Sequence, residues 1–244
     1  WAQEQFDQGG MLRENVKWDY ELRHGQPINT LVERALDIAM SEPKGPVYLT
    51  LPREALGDVG IDPGPKPRKA PTGAAAAAPA LAALEQAADM IAKAQNPLIV
   101  AGRSGNSPGA FEALGALASD CAIAVTSGPH CNIASDNPMN LGALTKPLLE
   151  GADVIVVLEA PVPWIPRVMQ PSANAKVIHI AHDPLFLTHP MRGFPTDLAV
   201  AGDPGAALMM LREMLKTKLR GKEAVTDARR ARLLRHHHAV DEAD

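Results

Sequence analysis

Short, uninterrupted apolar runs punctuate this chain of 244 residues, and between them apolar side chains recur at helical spacing. Leu98 to Ala101, Ala122 to Thr126, Val154 to Leu158, Lys176 to Ala181 and Leu198 to Ala201 read as five strands. Runs without polar alternation belong to strands covered on both faces, as in a parallel sheet. The stretches between them carry stripes: Leu81, Leu84, Ala88 and Ile91, then Phe111, Leu114 and Leu117, then Leu208, Leu211 and Leu215. A shorter helix is expected over Lys146 to Glu150. Strands alternating with helices imply right-handed crossovers and a doubly wound parallel α/β sheet.

The first quarter is patterned differently. Trp1 to Arg23 is mixed and polar and predicts mainly irregular structure, with a short helix around Phe6 to Asn15. Leu31, Val32, Ala35, Leu36 and Ala39 then repeat at helical spacing up to Met40, with Asn29 or Thr30 as the cap. Pro46 to Pro52 reads as a strand, giving a closing α-β pair without the sheet it belongs to. From Gly57 to Pro79 the chain is rich in Pro, Gly and Ala, a composition that builds no core and suits a semi-extended linker. Past Leu215 the stripe fades into charge, and Ala224 to Asp244 predicts a linker or a frayed helix.

The most chemically suggestive turn follows the first of the five strands. Gly102 and Gly105 permit a tight turn, Ser107 is placed to cap a helix, and Pro108 sits where its missing N–H costs nothing. A helix start aimed at a strand end gathers free N–H groups and a positive dipole end, which suits a phosphate or carboxylate. Asp203 followed by Pro204 has the same cap-then-proline form. An ordinary β-turn-α unit explains both without a ligand.

Composition narrows the picture. No apolar run approaches the roughly 20 residues that span a bilayer, and no signal segment opens the chain. Cys121 and Cys131 are too few for a disulfide framework and lack metal-ligand spacing, so a reducing, cytoplasmic setting is expected, with Cys121 in the core. The net charge of −4 argues against a general nucleic-acid binder. It hides a basic stretch, Arg212 to Arg235, with nine basic residues against three acidic, read as a solvated helix face. His182 and His189 read as surface hydrogen bonders, and His236-His237-His238 as no native metal site. A chain opening on Trp1 suggests a piece of something longer.

The run Gly45-Pro46-Val47-Tyr48-Leu49-Thr50-Leu51-Pro52-Arg53-Glu54, preceded by Phe6-Asp7-Gln8 and Val16-Lys17-Trp18, resembles the end of the pyrimidine-binding domain of thiamine-diphosphate enzymes. The group meant is that of acetolactate synthase, benzoylformate decarboxylase and oxalyl-CoA decarboxylase. There a G-P-V-x-(L/I)-x-(L/I)-P-x-(D/E) strand closes the first domain, and a linker leads to a Rossmann-like central domain. Asp136-Asn137-Pro138 with Leu141-Gly142, and His179-Ile180-Ala181-His182-Asp183-Pro184, resemble later motifs of that central domain. The resemblance covers roughly residues 1 to 220. It implies a pyrimidine-domain end at 1–56, a linker at 57–79, a central domain at 80–220, and at 221–244 a linker toward a third domain this chain does not contain.

What the resemblance implies for function is a parent enzyme that uses thiamine diphosphate and Mg²⁺ to decarboxylate or ligate a 2-oxo acid or related carbonyl substrate. Such an enzyme is a homodimer or homotetramer, with its cofactor between subunits. The glutamate that activates the cofactor would precede Trp1. Neither Gly57-Asp58-Val59 nor Gly202-Asp203-Pro204 matches the Gly-Asp-Gly…Asn segment that holds the metal and diphosphate. This piece alone is therefore expected to be inactive, with no catalytic residue of its own.

In flavin-binding relatives the central domain cradles FAD, and in an acyl-CoA relative ADP. By that resemblance Gly102, Arg103 and Ser104 fall on the first nucleotide loop, Thr126, Ser127 and Gly128 on the second, and Gly202 and Asp203 on the loop bounding the adenine. Arg103 would pair with a phosphate and Asp203 would accept from adenine or ribose. Two departures point instead to an empty crevice: Glu159 and three prolines replace a Gly-x-Arg loop, and Ala181 replaces an acid that meets ribose hydroxyls. Two other classes compete. One is a stand-alone nucleotide- or CoA-binding module. The other, a nicotinamide oxidoreductase, lacks its Gly-x-Gly-x-x-Gly and the acid ending the second strand.

Overall fold

The computed structural model describes residues 5–68, 70 and 73–241, with side chains as far as 235. The expectations for Trp1, for the side chains of His236 to His238 and for the last three residues therefore lie outside the described residues. The chain divides into two units, Trp1–Ala76 and Ala77–Asp244.

In the first unit, β1 (Trp18–Glu21) is followed by α1 (Ile28–Met40), β2 (Val47–Thr50) and the single turn α2 (Arg53–Leu56). β1 and β2 pair in parallel from Trp18 opposite Val47 to Glu21 opposite Thr50, so the Gly45-to-Pro52 segment has its own two-stranded sheet. The irregular reading of the first 23 residues is thus corrected. Trp18-Asp19-Tyr20-Glu21 alternates aromatic and acid, the period of a strand, and the two rings stack with centroids 5.5 Å apart. No α-helix forms near Phe6 to Asn15. Only Arg13–Asn15 makes a 3₁₀ turn, and Arg13 is held between Asp7 at 3.2 Å and Asp19 at 2.8 Å.

α1 buries Leu31 and Ala35, one turn apart, and starts at Ile28. Neither Asn29 nor Thr30 caps it, since Asn29 donates its side-chain amide to the Pro65 carbonyl. The Pro-rich segment after Gly57 lies along this helix, with the Asn29 N–H on the Pro63 carbonyl and the Arg68 guanidinium 2.6 Å from Asp37.

The second unit runs α3 (Leu81–Lys93), β3 (Pro97–Ala101), α4 (Ala110–Cys121), β4 (Ala124–Ser127), α5 (Lys146–Gly151), β5 (Val154–Leu158), β6 (Lys176–Ala181), β7 (Leu198–Ala201), α6 (Pro204–Leu219) and α7 (Glu223–Asp241). The five strands are parallel in the order β4-β3-β5-β6-β7, a doubly wound sheet. Every residue of β3 and β5 is buried, which is why these stretches carry no polar alternation. α6 packs on both α3 and α4, joining Leu208, Leu211 and Leu215 to Leu84, Ala88, Ile91, Leu114 and Leu117 in one core.

Three local expectations change. The second strand starts at Ala124, because Ala122 takes a left-handed turn (φ 51°) to leave α4. α4 begins at Ala110 behind a left-handed Gly109, so Ser107 does not cap it. The last segment is a helix, and its arginines are not all solvated. Arg229 is only 1% exposed, and its guanidinium donates to the carbonyls of Ile91, Ala94 and Cys121. Arg230 reaches the Ser119 carbonyl at 2.8 Å and Arg232 the Gln95 carbonyl at 3.2 Å. These acceptors end α3 and α4, where carbonyls lack helical partners and the dipole is negative. No helix among the described residues is long and apolar enough to cross a membrane.

Candidate functional site

In an open parallel sheet the crevice forms at the carboxyl ends of the strands, where successive connections leave in opposite directions. In the order β4-β3-β5 that point lies between β3 and β5. Here the two strand ends stay zipped: the Gly102 N–H donates to the Leu158 carbonyl at 2.8 Å and the Arg103 N–H to the Glu159 carbonyl at 3.0 Å. A Cβ on Gly102 would stand 2.3 Å from the Glu159 oxygen, so the glycine serves close backbone approach rather than access for a ligand.

The next turn is closed from the other side. Ser104 and Asn132 are both fully buried, and the Asn132 carboxamide oxygen accepts from the Ser104 hydroxyl at 3.0 Å and the Gly105 N–H at 3.1 Å. The amide nitrogen donates to the Gly102 carbonyl at 2.8 Å, the His130 carbonyl at 3.0 Å and Ser127 Oγ at 3.1 Å. The Ser127 N–H goes to the Gly142 carbonyl and the Gly128 N–H to Ala101. The N–H groups of Gly102, Arg103, Gly105, Ser127 and Gly128 are therefore all used within the protein.

Beside this knot lies a cavity of about 280 Å³, lined by Gly102, Arg103, Thr126, Ser127 and Gly128 together with Pro161-Val162-Pro163. Five of the eight residues singled out in the sequence thus meet at one place. Ser104 is buried and does not line it. Gly202 and Asp203 stand apart, at the end of β7: the Gly202 N–H bonds Ala181, and Asp203 Oδ1 caps α6 by accepting from the Ala206 N–H at 2.7 Å.

A second cluster surrounds His182, half-buried at the end of β6. Its N–H donates to Glu159 Oε1 at 2.6 Å, and Glu159 itself adopts a left-handed φ of 48°. Ser107 Oγ lies 3.4 Å and Asp203 Oδ2 3.8 Å from the same ring nitrogen, Nε2. Serine and aspartate addressing one nitrogen cannot form a relay, which needs them on opposite sides of the ring.

The loops after β5 and β6 are braced by Arg192, which the sequence did not flag. Its guanidinium donates to the Pro161 carbonyl at 2.9 Å, the Ala160 carbonyl at 3.1 Å and His179 Nδ1 at 3.2 Å. It also lies over Phe186 at 4.7 Å and Phe194 at 5.0 Å. With Nδ1 accepting, His179 carries its proton on Nε2 and donates to the Pro195 carbonyl at 3.1 Å. Burial, and next the Arg192 charge, lower the His179 pKa to about 4.

The residues present do not fit a metal and diphosphate site. Asp58 holds His24 at 2.9 Å and the Gly25 N–H at 3.2 Å, Asp203 is a helix cap, and among the described residues no three His, Cys, Asp or Glu converge as metal ligands. The fit to an adenine dinucleotide is equally poor, because the N–H groups that would cradle its phosphates have partners already.

Residues 84–211 match the family model for the central domain of thiamine pyrophosphate enzymes. Among solved structures, the chain is similar to benzoylformate decarboxylase of Polynucleobacter necessarius, with 25% identity, a TM-score of 0.65, and coverage of 82% of this chain and 38% of that one. It is also similar to a protein of Mycobacterium smegmatis described as thiamin diphosphate-dependent, with 25% identity, a TM-score of 0.66, and coverage of 82% and 40%. The thiamine diphosphate-dependent 4-hydroxybenzoylformate decarboxylase of Rhodococcus jostii RHA1 shares the fold at 22% identity, a TM-score of 0.68, and coverage of 86% and 41%. The chain thus spans about two fifths of the length of the solved structures it matches.

Proposed function

The chain belongs to the thiamine pyrophosphate enzymes through their central domain, and we propose that it is the scaffold part of a lyase or transferase that decarboxylates or ligates 2-oxo acids. When bound, thiamine diphosphate supplies the carbanion that attacks the substrate carbonyl, and protein supplies orientation and electrostatics. The observation that carries the proposal is the family match over residues 84–211, in one chain with a separate parallel β-α-β unit whose second strand lies in Gly45 to Glu54.

The task of the present residues is positional. Gly102 and Asn132 fix the strand ends and Arg192 fixes the loops beyond β5 and β6, so that the carboxyl edge of the sheet is a rigid wall. The central unit does this without FAD or ADP. Catalysis belongs to an assembled cytoplasmic homodimer or homotetramer with Mg²⁺ and diphosphate held elsewhere.

The test is direct. The 244-residue chain, supplied with thiamine diphosphate, Mg²⁺ and benzoylformate or pyruvate, releases no CO₂ above the cofactor-only background, whereas the full-length parent does. Turnover by the 244-residue chain refutes the scaffold role, and a full-length parent inert on every 2-oxo acid refutes the reaction class.

A further inference from the structure

The cavity at the ends of β3, β4 and β5 is left over once the protein has satisfied its own amides, and its chemistry is unlike an anion cradle. Its walls are mainly apolar: Val100 and Ala101 from β3, Leu144 opposite, and the Pro161-Val162-Pro163 segment. At about 280 Å³ it falls just below the usual range of ligand sites, roughly 300–1,000 Å³, and has room for a small molecule only. The prolines give that wall no N–H of its own.

One charge faces this apolar space. Arg103 lines the cavity and is exposed, and among the described residues its guanidinium makes no hydrogen bond, ion pair or ring contact. Its neighbours on the same turn differ: Gly102, Ser104 and Gly105 each have a hydrogen-bond partner in the protein. An unpaired guanidinium offers the planar, forked donor set that matches a carboxylate. Of the polar side chains that also line it, Thr126 and Ser127 spend their hydroxyls on the Ile99 and His130 carbonyls, which leaves His130 as the other polar group for a ribose or a second phosphate.

We propose that this cavity binds a compact monoanion with an apolar body, a carboxylate on a single ring, with Arg103 as its counter-charge and the proline wall and Leu144 against the ring. The backbone enforces the choice. The N–H groups of Gly102, Arg103, Ser127 and Gly128, which line the cavity, all donate to carbonyls of the protein, and this leaves the Arg103 guanidinium as the anion's partner. The site is independent of thiamine chemistry, so it stands or falls apart from the reaction class proposed above.

Benzoate is the probe, titrated into the 244-residue chain while the amide resonances of Gly102 and Gly128 are followed by NMR. Saturable binding at about 1 mM or tighter is expected, weakened about tenfold or more by Arg103→Ala, by benzamide in place of benzoate, and by Ala143→Trp, which puts an indole at the cavity mouth. Both substituted residues are exposed, so folding is preserved and is checked by circular dichroism. Inorganic phosphate and ADP bind more weakly than benzoate. The proposal is overturned if benzoate does not saturate, if Arg103→Ala leaves its affinity unchanged, or if ADP binds more tightly than benzoate.

Discussion

The two ends of the central sheet solve the same problem with opposite chemistry. At the amino end, the carbonyls that finish α3 and α4 converge, and α7 answers them with a buried guanidinium, Arg229. At the carboxyl end, donors gather around the turn after β3, and a neutral carboxamide, Asn132, answers the Ser104 hydroxyl and the Gly105 N–H. A parallel sheet places helix C-termini at one end and N-termini at the other, so the polarity of the backbone decides where a cation fits and where an acceptor fits. The comparison teaches that ligand-binding geometry is the default of this fold, and that a sequence abolishes it by supplying the partner itself.

The amino end should break hardest. Arg229→Ala takes a donor from three carbonyls, of which Ile91 alone keeps the Ala94 N–H, and leaves a void beneath α7, and it is expected to cost about 4 kcal/mol. Urea unfolding monitored by circular dichroism measures it. A loss below about 1 kcal/mol would mean that α7 is an ornament on the domain rather than part of it. Arg229 is not ideally served even now, since its Nε is buried without a hydrogen-bond partner among the described residues. Arg229→Lys, with one fewer geometry to satisfy and three donors on a point charge, is expected to recover only part of the loss.

These plugs also mark the limit of what the residues announced in advance. The five strands and the stripes of α3, α4 and α6 were legible because continuous apolar runs and helical spacing are local signals. Asp203 was legible as a cap for the same reason. α7 was legible only as a linker or a frayed helix, because a helix docked by Arg229 and a single buried leucine, Leu233, shows no apolar stripe. β1 was missed because its tryptophan and tyrosine alternate with acids in a polar neighbourhood. Asn132 acts on Ser104 from 28 positions away, and nothing in its own surroundings announces that pairing. The strand-end glycines were seen but their purpose was not, since a close approach to Glu159 and Cys131 is visible only in three dimensions.

The carboxyl end carries a pH dependence through His179. His179 is 1% exposed and fits its site only when neutral, because protonated Nδ1 would face the Arg192 guanidinium. Its pKa is depressed from 6.5 to about 4, so its contribution to stability is whole above pH 6.5 and drains as the pH falls toward 4. The full loss is on the order of 3 kcal/mol at one unit per 1.4 kcal/mol. Thermal melts between pH 7 and 4 check it. His179→Gln, which has no titrating group, should flatten that part of the curve; if the slope persists, other groups carry it.

The smallest effect tests the comparison most sharply. Asn132→Ala removes the acceptor for the Ser104 hydroxyl and the Gly105 N–H and the donor for the Gly102 and His130 carbonyls. Solvent can reach this edge through the neighbouring cavity, so water replaces part of what is lost and the cost is about 2 kcal/mol rather than the larger figure at the amino end. The sign of a second response matters more than the size of the first. If the carboxamide stands in for an external anion, the Asn132→Ala protein should gain thermal stability from inorganic phosphate while the parent sequence gains none, because ligand binding to the folded state alone raises stability by mass action. Asn132→Asp keeps the acceptor but turns a carboxylate toward the two carbonyls it can no longer donate to. It should be less stable than Asn132→Ala above the carboxylate range and should ignore phosphate. Equal phosphate responses in all three proteins would show that the turn after β3 never had the geometry of an anion site, and that the carboxamide fills space and nothing more.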